Sequence, residues 1–407
     1  MRRKANLFVG LDIGTTKTCA IVGEWTDQGL NIVGLGTCLS EGLRRGVVVN
    51  IDSTVESIAK AVEEAEHMSG CEIRSVYVSV AGQHIKGQNS LGIVAVKGRE
   101  VDEEDVQRAV EASKAVAVPL DREIIHAIPQ SFVVDDQDGV RDPVGMSGVR
   151  LEAKVHIVTG STPAIQNVVK SVNRVGINVE ELVLGQLASA EAVLSEDEKD
   201  LGVALFDIGG GTTDIVVFTE GSVKHTAVVP VGGQYVTNDI AQGLRTPLLE
   251  AEKVKIKYGC SYTPLIPKDE TIEVPSVGGR EAREVSRQLL GRIIEPRMEE
   301  ILNLAFKEIV RAGFEDNLAA GIVLTGGTSL TSGVVELAEQ LFNMPVRCGY
   351  PARIGGLVDV VNSPIYATAV GLILRAVRGL SPASLHGGAG MVGGWINRVK
   401  KWIVDFF

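Results

Sequence analysis

Two short segments of the chain combine an aspartate with a turn of glycines and threonines. Residues 7–18 read LFVGLDIGTTKT, and residues 203–214 read VALFDIGGGTTD. Glycines let backbone N–H groups approach phosphate oxygens without an intervening Cβ, and threonine hydroxyls add donors. An aspartate just before such a turn can hold a hydrated Mg²⁺, which prefers oxygen ligands. Because each half of the chain has one copy, the pair predicts a cleft that holds a polyphosphate from both sides.

Strand-type segments flank both turns. Each Asp-Ile-Gly follows an apolar run and precedes a second apolar, partly β-branched run, at 19–22 in the first copy and 215–218 in the second. This pattern predicts two β-hairpins with glycine-rich turns. A plain hairpin explains either copy alone, and the repetition favours the nucleotide cleft.

Two glycine pairs fit the other end of a nucleotide. A buried-strand run at 319–328 contains Gly326 and Gly327 and precedes a helical pattern at 334–341. Gly232 and Gly233 likewise lead into a helix. Either pair is explained by an ordinary strand-to-helix turn, or by a glycine surface under an adenosine beside a helix N-terminus.

Glu252 and Lys255 are three residues apart, which places them on one face of a predicted helix. A solvated charge pair is the ordinary explanation of that spacing. Contact with the adenosine part of a nucleotide is the alternative.

Composition excludes several classes of protein. The 407 residues exceed one compact core, which predicts two domains or a bilobed body. A net charge of −11 disfavours nucleic acid as a partner. Five dispersed cysteines predict neither a metal cluster nor a disulfide framework. With no signal-peptide pattern and no long apolar run, we expect a cytosolic or peripheral membrane protein.

The last residues of the chain form a separate pattern. Residues 379–394 contain six glycines, which predicts a flexible linker. Residues 395–407 place apolar side chains on one face of a helix and basic ones on the other, which is typical of a helix lying in an anionic membrane surface. A terminal helix docked on the body is the alternative. The candidate membrane-binding residues are Trp395, Ile396, Val399, Trp402, Ile403, Phe406 and Phe407.

In this order the motifs resemble those of the actin, sugar-kinase and heat-shock-chaperone superfamily. Nearly the whole chain resembles, more closely, the FtsA family of bacterial cell-division proteins, through the segments 44–52, 142–150, 274–280 and 294–297 as well as the turns and the tail. The resemblance implies an α/β, two-lobed, actin-like ATPase fold. That fold is a duplicated ribonuclease-H-like unit, with an inserted subdomain in each lobe and a C-terminal amphipathic helix.

The resemblance also implies a division of the chain. The expected parts are the first lobe (1A) at 1–82 and 164–197, its insert (1C) at 83–163, the second lobe core (2A) at 198–245 and 306–378, its insert (2B) at 246–305, the linker at 379–394 and the membrane-targeting helix at 395–407. In the first insert we expect a hairpin near 85–96. In the second we expect a two-strand region at 270–277 and a helix at 283–310, which Pro296 should kink or divide.

The family's nucleotide site carries over to positions of this sequence that match its motifs, with ATP and Mg²⁺ as the implied cofactors. The implied phosphate-binding residues are Gly14, Thr15, Thr16, Lys17, Gly209, Gly210, Gly211, Thr212 and Thr213, and the resemblance places Asp12 and Asp207 beside the magnesium, with water between. The adenosine side is Gly232, Gly233, Glu252, Lys255, Gly326 and Gly327. Relatives position the attacking water with a Glu or Gln, and Gln186 is the nearest candidate by register; ordinary helix packing is its alternative.

Five arginines between 280 and 297 suggest a local basic surface on an acidic protein. Solvated arginines paired with neighbouring glutamates are one explanation. The resemblance implies another, a dock for the acidic and apolar C-terminal peptide of the tubulin-like division protein FtsZ, with Arg280, Arg283 and Arg297 as contacts.

Taken together, the resemblance implies an ATP-binding protein, with at most slow ATPase activity, that assembles into filaments with itself. It tethers FtsZ filaments to the cytoplasmic face of the inner membrane at the division site and helps to recruit other division proteins. The polymer multiplies weak membrane helices into a stable anchor. A small-molecule kinase of the same fold, or an actin-like scaffold of another envelope machine, is the alternative.

Overall fold

The structure is a computed structural model that describes residues 6–115, 118–279 and 281–379. The strands in these ranges are β1 (Asn6–Ile13), β2 (Lys17–Thr26), β3 (Gly29–Leu39), β4 (Leu43–Arg44), β5 (Val47–Val48), β6 (Ser75–Val80), β7 (Lys86–Ala95), β8 (Arg122–Val134), β9 (Gln137–Val140), β10 (Arg150–Ser161), β11 (Asn178–Leu184), β12 (Val203–Ile208), β13 (Thr213–Thr219), β14 (Ser222–Val229), β15 (Thr271–Val274), β16 (Arg283–Ser286), β17 (Ile322–Thr325), β18 (Val346–Cys348) and β19 (Gly355–Gly356).

The α-helices in the same ranges are α1 (Ile51–Ser69), α2 (Glu103–Ser113), α3 (Thr162–Arg174), α4 (Gly185–Val193), α5 (Glu196–Leu201), α6 (Gly233–Gly243), α7 (Leu248–Tyr258), α8 (Arg287–Ala312), α9 (Val334–Phe342), α10 (Val358–Val361) and α11 (Ala367–Arg378). None of these helices is long and apolar enough to cross a bilayer. The predicted linker beyond Gly379, the predicted membrane helix and Arg280 lie outside the described residues.

Two sheets of the molecule share one topology. In the first, β1, β2 and β3 form an antiparallel meander, and β6 and β11 continue the sheet in parallel beside β1. In the second, β12, β13 and β14 form the meander, and β17 and β18 continue it in parallel beside β12. Both predicted hairpins, β1–β2 and β12–β13, are therefore confirmed. The repeat visible in two short segments is a repeat of a whole sheet.

Helices α4 and α11 lie between the two sheets: α4 packs against strands of both, and α11 packs against the first and reaches Asp207 of the second through Thr368. Their backbones approach so closely that a Cβ built on Gly371 of α11 lies 1.7 Å from the carbonyl oxygen of Ala188 on α4. On its other side, α11 approaches β1, where a Cβ built on Gly10 lies 2.4 Å from the carbonyl oxygen of Ala369. Glycines at these two points thus set the distance between the lobes.

The first insert is a four-stranded sheet in the order β7-β10-β8-β9, with α2 packed against it. The hairpin expected near 85–96 is wrong, because β7 is one strand that pairs with β10 from Lys86 to Ala95. Gly92, within β7, makes room for α2: a Cβ built there lies 1.9 Å from the carbonyl oxygen of Ala109.

The second insert differs from expectation at its C-terminal side. Arg283–Ser286 is strand β16, paired with β15, and the helix begins only at Arg287. The expected two strands within 270–277 are therefore wrong, because the partner of β15 comes from residues assigned to the helix. Helix α8 runs undivided to Ala312 through Pro296. Pro296 is exposed, so water can satisfy the carbonyl that loses its helical donor.

We expect Gly371→Ala to destabilise the protein by about 1–3 kcal/mol, because its Cβ forces two packed backbones apart. Urea unfolding followed by circular dichroism measures this. Gly98→Ala is the matched control: its Cβ has a nearest neighbour at 3.6 Å, an ordinary contact, and stability should stay within about 0.5 kcal/mol. Equal stability of the two variants would contradict the proposed role of Gly371.

Candidate functional site

The two glycine-rich turns have the same local geometry. The Gly14 N–H donates to the carbonyl of Lys17 at 3.0 Å, and the Gly209 N–H donates to the carbonyl of Thr212 at 2.9 Å. Each turn therefore closes over four residues, directly after a strand that carries an aspartate. Local sequence sets this geometry, since both turns read Gly followed by small or hydroxyl-bearing residues.

The tertiary structure brings these turns against each other. A Cβ built on Gly210 lies 2.3 Å from the Thr16 side chain, and one built on Gly211 lies 2.5 Å from the Thr15 hydroxyl. The Thr15 hydroxyl also accepts a hydrogen bond from the Gly46 N–H at 2.9 Å. The predicted arrangement of two facing turns is thus present in the structure.

Three groups of the second lobe hold the second turn from behind. The N–H groups of Gly233 and Gln234 donate to the carbonyls of Gly209 and Gly210 at 2.9 and 2.8 Å. The Thr328 hydroxyl donates to Gly209 as well, at 3.0 Å. These bonds occupy the carbonyl oxygens of the turn, which repel anions, and fix its backbone. Gly233 supports the turn and is absent from the described lining of the cleft.

A cleft of about 810 Å³ opens between the lobes at the two turns. Its lining includes most of the predicted nucleotide residues, namely Asp12, Gly14, Thr15, Thr16, Lys17, Asp207, Gly209, Gly210, Gly211, Thr212, Glu252, Lys255, Gly326 and Gly327. The lining that the structure describes does not include Thr213, Gly232, Gly233 or Gln186. Thr213 is buried, and its hydroxyl donates to the carbonyl of Val231 at 2.9 Å, which is a structural contact.

The two predicted acids each have hydroxyl partners. The Ser79 hydroxyl donates to Asp12 at 2.7 Å. The hydroxyls of Ser189 and Thr368, from α4 and α11, donate to Asp207 at 2.5 and 3.2 Å. Helices that separate the lobes therefore also orient an acid on the floor of the cleft.

A third acid, Asp214, lines the cleft and was missed in the sequence. It is the cross-strand partner of Asp207 in the hairpin. The sequence does contain a signal for Asp214, because this residue follows the turn 209–212 at the position that pairs with Asp207 before the turn. In the first hairpin the corresponding partner of Asp12 is the buried Cys19, so the duplicated site is asymmetric.

Burial dominates the electrostatics of these acids. It raises the pKa of Asp12, and it raises the pKa of Asp207 to about 6, although the hydrogen bond from Ser189 lowers the latter. Burial, and then the charge of Asp207, raise the pKa of Asp214 to about 8. One oxygen of Asp214 accepts from Thr212 at 3.1 Å, while the other, Oδ1, is buried with no partner in the described residues. Nearby cations therefore do not fully offset the burial of the three acids on the floor of the cleft.

Glu252 and Lys255 form an ion pair on one face of α7, as their spacing predicts, while their contact with an adenosine stays a prediction. Lys255 Nζ lies 2.7 Å from Glu252 Oε2, and it also donates to the Thr237 hydroxyl at 2.9 Å and the Gly233 carbonyl at 3.3 Å. Residues 252, 255, 256 and 259 all line the cleft, a spacing of three to four that marks one helical face. The pair is thus connected through Gly233 to the second turn.

Lys17 connects the first turn to the residues just before α11. Its Nζ donates to the carbonyl of Ile365 at 2.7 Å and lies 4.4 Å from the ring centroid of Tyr366. Both of these neighbours line the cleft and carry no motif, so sequence inspection could not identify them. Only the fold brings residue 17 to residue 365.

Gln186 occupies a buried position on α4. Its amide nitrogen is 3.5 Å from the carbonyl of Ala227 on β14, and its Oε1 is buried without a partner among the described residues. The α4 residue that lines the cleft is Gly185, which has no side chain. A role for Gln186 in placing water stays a prediction.

The arginines expected to form one basic surface have separate surroundings. Arg283 is exposed and donates to the carbonyl of Leu244. Arg297 pairs with Asp239 through two nitrogens, at 2.5 and 3.2 Å, and with Glu300. Of the glutamate partners expected from the sequence, Glu300 is confirmed for Arg297, while Asp239 was not anticipated.

Tyr235 of the second lobe has two arginines near its ring. The guanidinium carbons of Arg45, from the first lobe, and Arg297 each lie 5.8 Å from its ring centroid. Arg45 also donates to the Tyr235 hydroxyl. Arg45 is adjacent to Gly46, which is hydrogen-bonded to the first turn, so these contacts join the lobes next to the cleft.

Comparison with solved structures identifies the fold class of the chain. The structure titled "PilM-PilN type IV pilus biogenesis complex" matches with a TM-score of 0.67 at 17% identity, over 91% of this chain and 98% of that one. MreB5 of Spiroplasma citri, solved bound to ADP, matches with a TM-score of 0.54 at 12% identity, over 91% and 98%. The chain therefore has the two-lobed fold of the actin-like ATPases, as predicted.

Sequence comparison narrows the class to one family. A family model described as "Cell division protein FtsA" matches residues 204–371, and one described as "SHS2 domain inserted in FTSA" matches residues 82–159. The cell division protein FtsA of Pseudomonas aeruginosa is 55% identical over 92% of this chain and 90% of its own length. That of Neisseria meningitidis serogroup B is 47% identical over 100% of both. The chain belongs to the FtsA family of cell division proteins.

We expect Asp214→Asn to flatten the pH dependence of stability. The folded carboxyl holds its proton up to about pH 8, whereas the unfolded one releases it above about pH 4. The free energy of unfolding of the native chain therefore falls as pH rises between these values, and the amide removes this loss. Urea unfolding at about pH 5 and about pH 8 in EDTA measures it.

The exposed Asp27→Asn is the control for that change, since it removes a carboxyl that lies outside the cleft. It should leave the pH dependence unaltered. An Asp214→Asn protein with the same pH dependence as the native chain would show that this carboxyl is not held protonated.

Proposed function

We propose that the cleft binds ATP with Mg²⁺. The observation that carries the proposal is the contact between the two turns, which presents backbone N–H groups and hydroxyls of Thr15 and Thr16 from one lobe opposite Gly210 and Gly211 of the other. A relative of the same fold, MreB5, was solved with ADP bound. The volume of about 810 Å³ is ample for a nucleotide.

The residues present also fit a magnesium ion. Asp12, Asp207 and Asp214 give the floor an excess of buried carboxylate, and the unpartnered Oδ1 of Asp214 has no protein donor in the described residues. Among the described residues, no three or more Asp, Glu, His or Cys side chains are arranged so that they could all bind one metal ion directly. Asp12 and Asp207 would hold the ion through water, as Mg²⁺ commonly requires. Once bound, it would neutralise phosphate charge.

Hydrolysis, if it occurs, should be slow. The residue of α4 that reaches the cleft is Gly185, which supplies no group to orient a water, and Gln186 is directed to Ala227 instead. Binding alone can stabilise a closed body, because any ligand that prefers one state shifts the population toward it. The protein therefore acts in this proposal as a nucleotide-dependent scaffold.

We further propose that the chain self-assembles and tethers FtsZ filaments to the cytoplasmic face of the inner membrane at the division site, where it helps to recruit other division proteins. Membership in the FtsA family supports a division role. The amphipathic pattern at 395–407 supports peripheral binding to an anionic membrane surface. Assembly would add weak anchors together.

Arg283 is the best supported contact for the acidic C-terminal peptide of FtsZ, because it is exposed and its described bond goes to a carbonyl rather than a carboxylate. Arg297 is paired with Asp239 and Glu300, so a peptide carboxylate would have to displace one of them. Arg280 lies outside the described residues. The dock is therefore centred on β16 in this proposal.

We expect saturating MgATP to stabilise the protein against heat, since a ligand at 100 times its dissociation constant adds about 2.7 kcal/mol. Lys17→Met should weaken ATP binding by about tenfold or more, because it removes a charge next to the phosphate turn. Lys253→Met on the exposed side of α7 is the control and should bind normally. Differential scanning fluorimetry across an ATP titration measures both, and no shift in the native chain would contradict the proposal.

We expect the full chain to float with anionic liposomes in ATP and Mg²⁺, and a chain ending at Gly388 not to float, because it lacks the predicted helix. FtsZ should float only with the full chain. Arg283→Ala should reduce FtsZ flotation and leave flotation of the chain itself unchanged, whereas the exposed Arg74→Ala should alter neither. Flotation of the truncated chain, or full FtsZ recovery with Arg283→Ala, would contradict the tether or the dock.

A further inference from the structure

Arg287 lines the cleft rather than the outer surface. The sequence suggested a surface arginine of the second insert. In the structure it is the first residue of α8, and it lies next to the C-terminal end of α7, where its Nε donates to the carbonyl of Tyr258 at 2.9 Å. It is half-buried, so one part of the guanidinium is covered by protein and another faces the cleft.

The guanidinium is held in a fixed orientation from behind. Its Nη1 donates to both carboxylate oxygens of Glu270, at 3.0 and 2.8 Å, in addition to the Nε bond to Tyr258. The remaining nitrogen, Nη2, has no hydrogen-bond partner among the described residues. A planar group anchored through two of its three nitrogens is preorganised to offer the third, and its face, to a ligand.

The position of Arg287 along the cleft corresponds to the base of a nucleotide. From the second turn, contacts lead through Gly233 to Lys255 and then along the cleft face of α7 to Gly259. The step from Glu252 to Gly259 is seven residues, or about 10 Å at 1.5 Å per residue. A nucleoside attached to phosphates at the turns is of that length, so its base reaches the end where Arg287 lies.

That end of the cleft suits a flat aromatic ring. Ile256 and Leu330 contribute apolar surface to the lining there. The segment around Ser332 forms the opposite wall and is joined to the residues after α7, where the Ser261 N–H donates to the carbonyl of Ser332 at 2.7 Å. Gly259 has no side chain that would fill this end of the cleft. Apolar walls with one placed cation are typical of base-binding pockets.

We propose that Arg287 contacts the purine base of the bound nucleotide, stacking its guanidinium on the ring or donating from Nη2 to a ring nitrogen, with Glu270 as its positioning residue. This rests on the proposed nucleotide function and adds a specificity-determining contact to it. The cleft then distinguishes a nucleotide from a bare polyphosphate at a point about 10 Å from the phosphate turns.

The test compares MgATP with magnesium tripolyphosphate by isothermal titration calorimetry on the full chain. Arg287→Ala should bind MgATP about tenfold more weakly, the effect of losing one contact to a charged group, and should bind tripolyphosphate as the native chain does. Arg287→Lys keeps the charge but loses the planar fork, so it should resemble Arg287→Ala with ATP. Glu270→Gln should give an intermediate loss.

Arg292→Ala is the matched control, because Arg292 is an exposed arginine one and a half turns further along α8. It should bind both ligands normally. Equal losses of ATP and tripolyphosphate in Arg287→Ala would overturn the proposal, since the arginine would then act on phosphate or on the fold. Full ATP affinity in Arg287→Ala, or its recovery in Arg287→Lys, would overturn it too. Failure of the native chain to bind either ligand would instead refute the nucleotide function itself.

Discussion

The backbone contact between α4 and α11 is the constraint on which the rest of the site depends. With Gly371 against Ala188 and Gly10 against Ala369, the helices and β1 are closer than side chains would permit. Because packed interiors deform little, this contact holds the two sheets at one separation. Ser189 on α4 and Thr368 on α11 extend from the same pair to Asp207. The distance between lobes and the orientation of an acid therefore have one origin.

Desolvation gives the cleft its chemical character. The acids on its floor keep protons at a pH where free carboxyls are ionised, since burial penalises their charge. A cation bound with a phosphate ligand would favour the charged forms, and such binding would then release protons from these acids. The asymmetry between Asp214 and the buried Cys19 assigns that chemistry mainly to the second hairpin.

The arginines between 280 and 297 look alike in the sequence, but tertiary contacts give them different surroundings. Arg283 is exposed at the surface, Arg287 lines the cleft, and Arg297 lies near the Tyr235 ring, as Arg45 does. The contacts of Tyr235 with Arg297 and Arg45 join the second insert to the first lobe beside the turn at Thr15. Arg45 and Arg297 are consequently neighbours in space, although they are about 250 positions apart in the chain.

The sequence by itself determined the two hairpins, the turns and their aspartates, because these depend on short-range patterns of apolar residues, glycines and hydroxyls. It also determined the helical face of Glu252 and Lys255, for the same reason. It did not reveal Asp214, Arg287 or the Ile365 carbonyl as parts of the cleft, and it misplaced β16 and the single strand β7. These depend on which distant segments meet, and a glycine such as Gly92 looks the same in a turn and under a helix. Contacts between distant segments decided these features, and such contacts leave no periodic pattern in the local sequence.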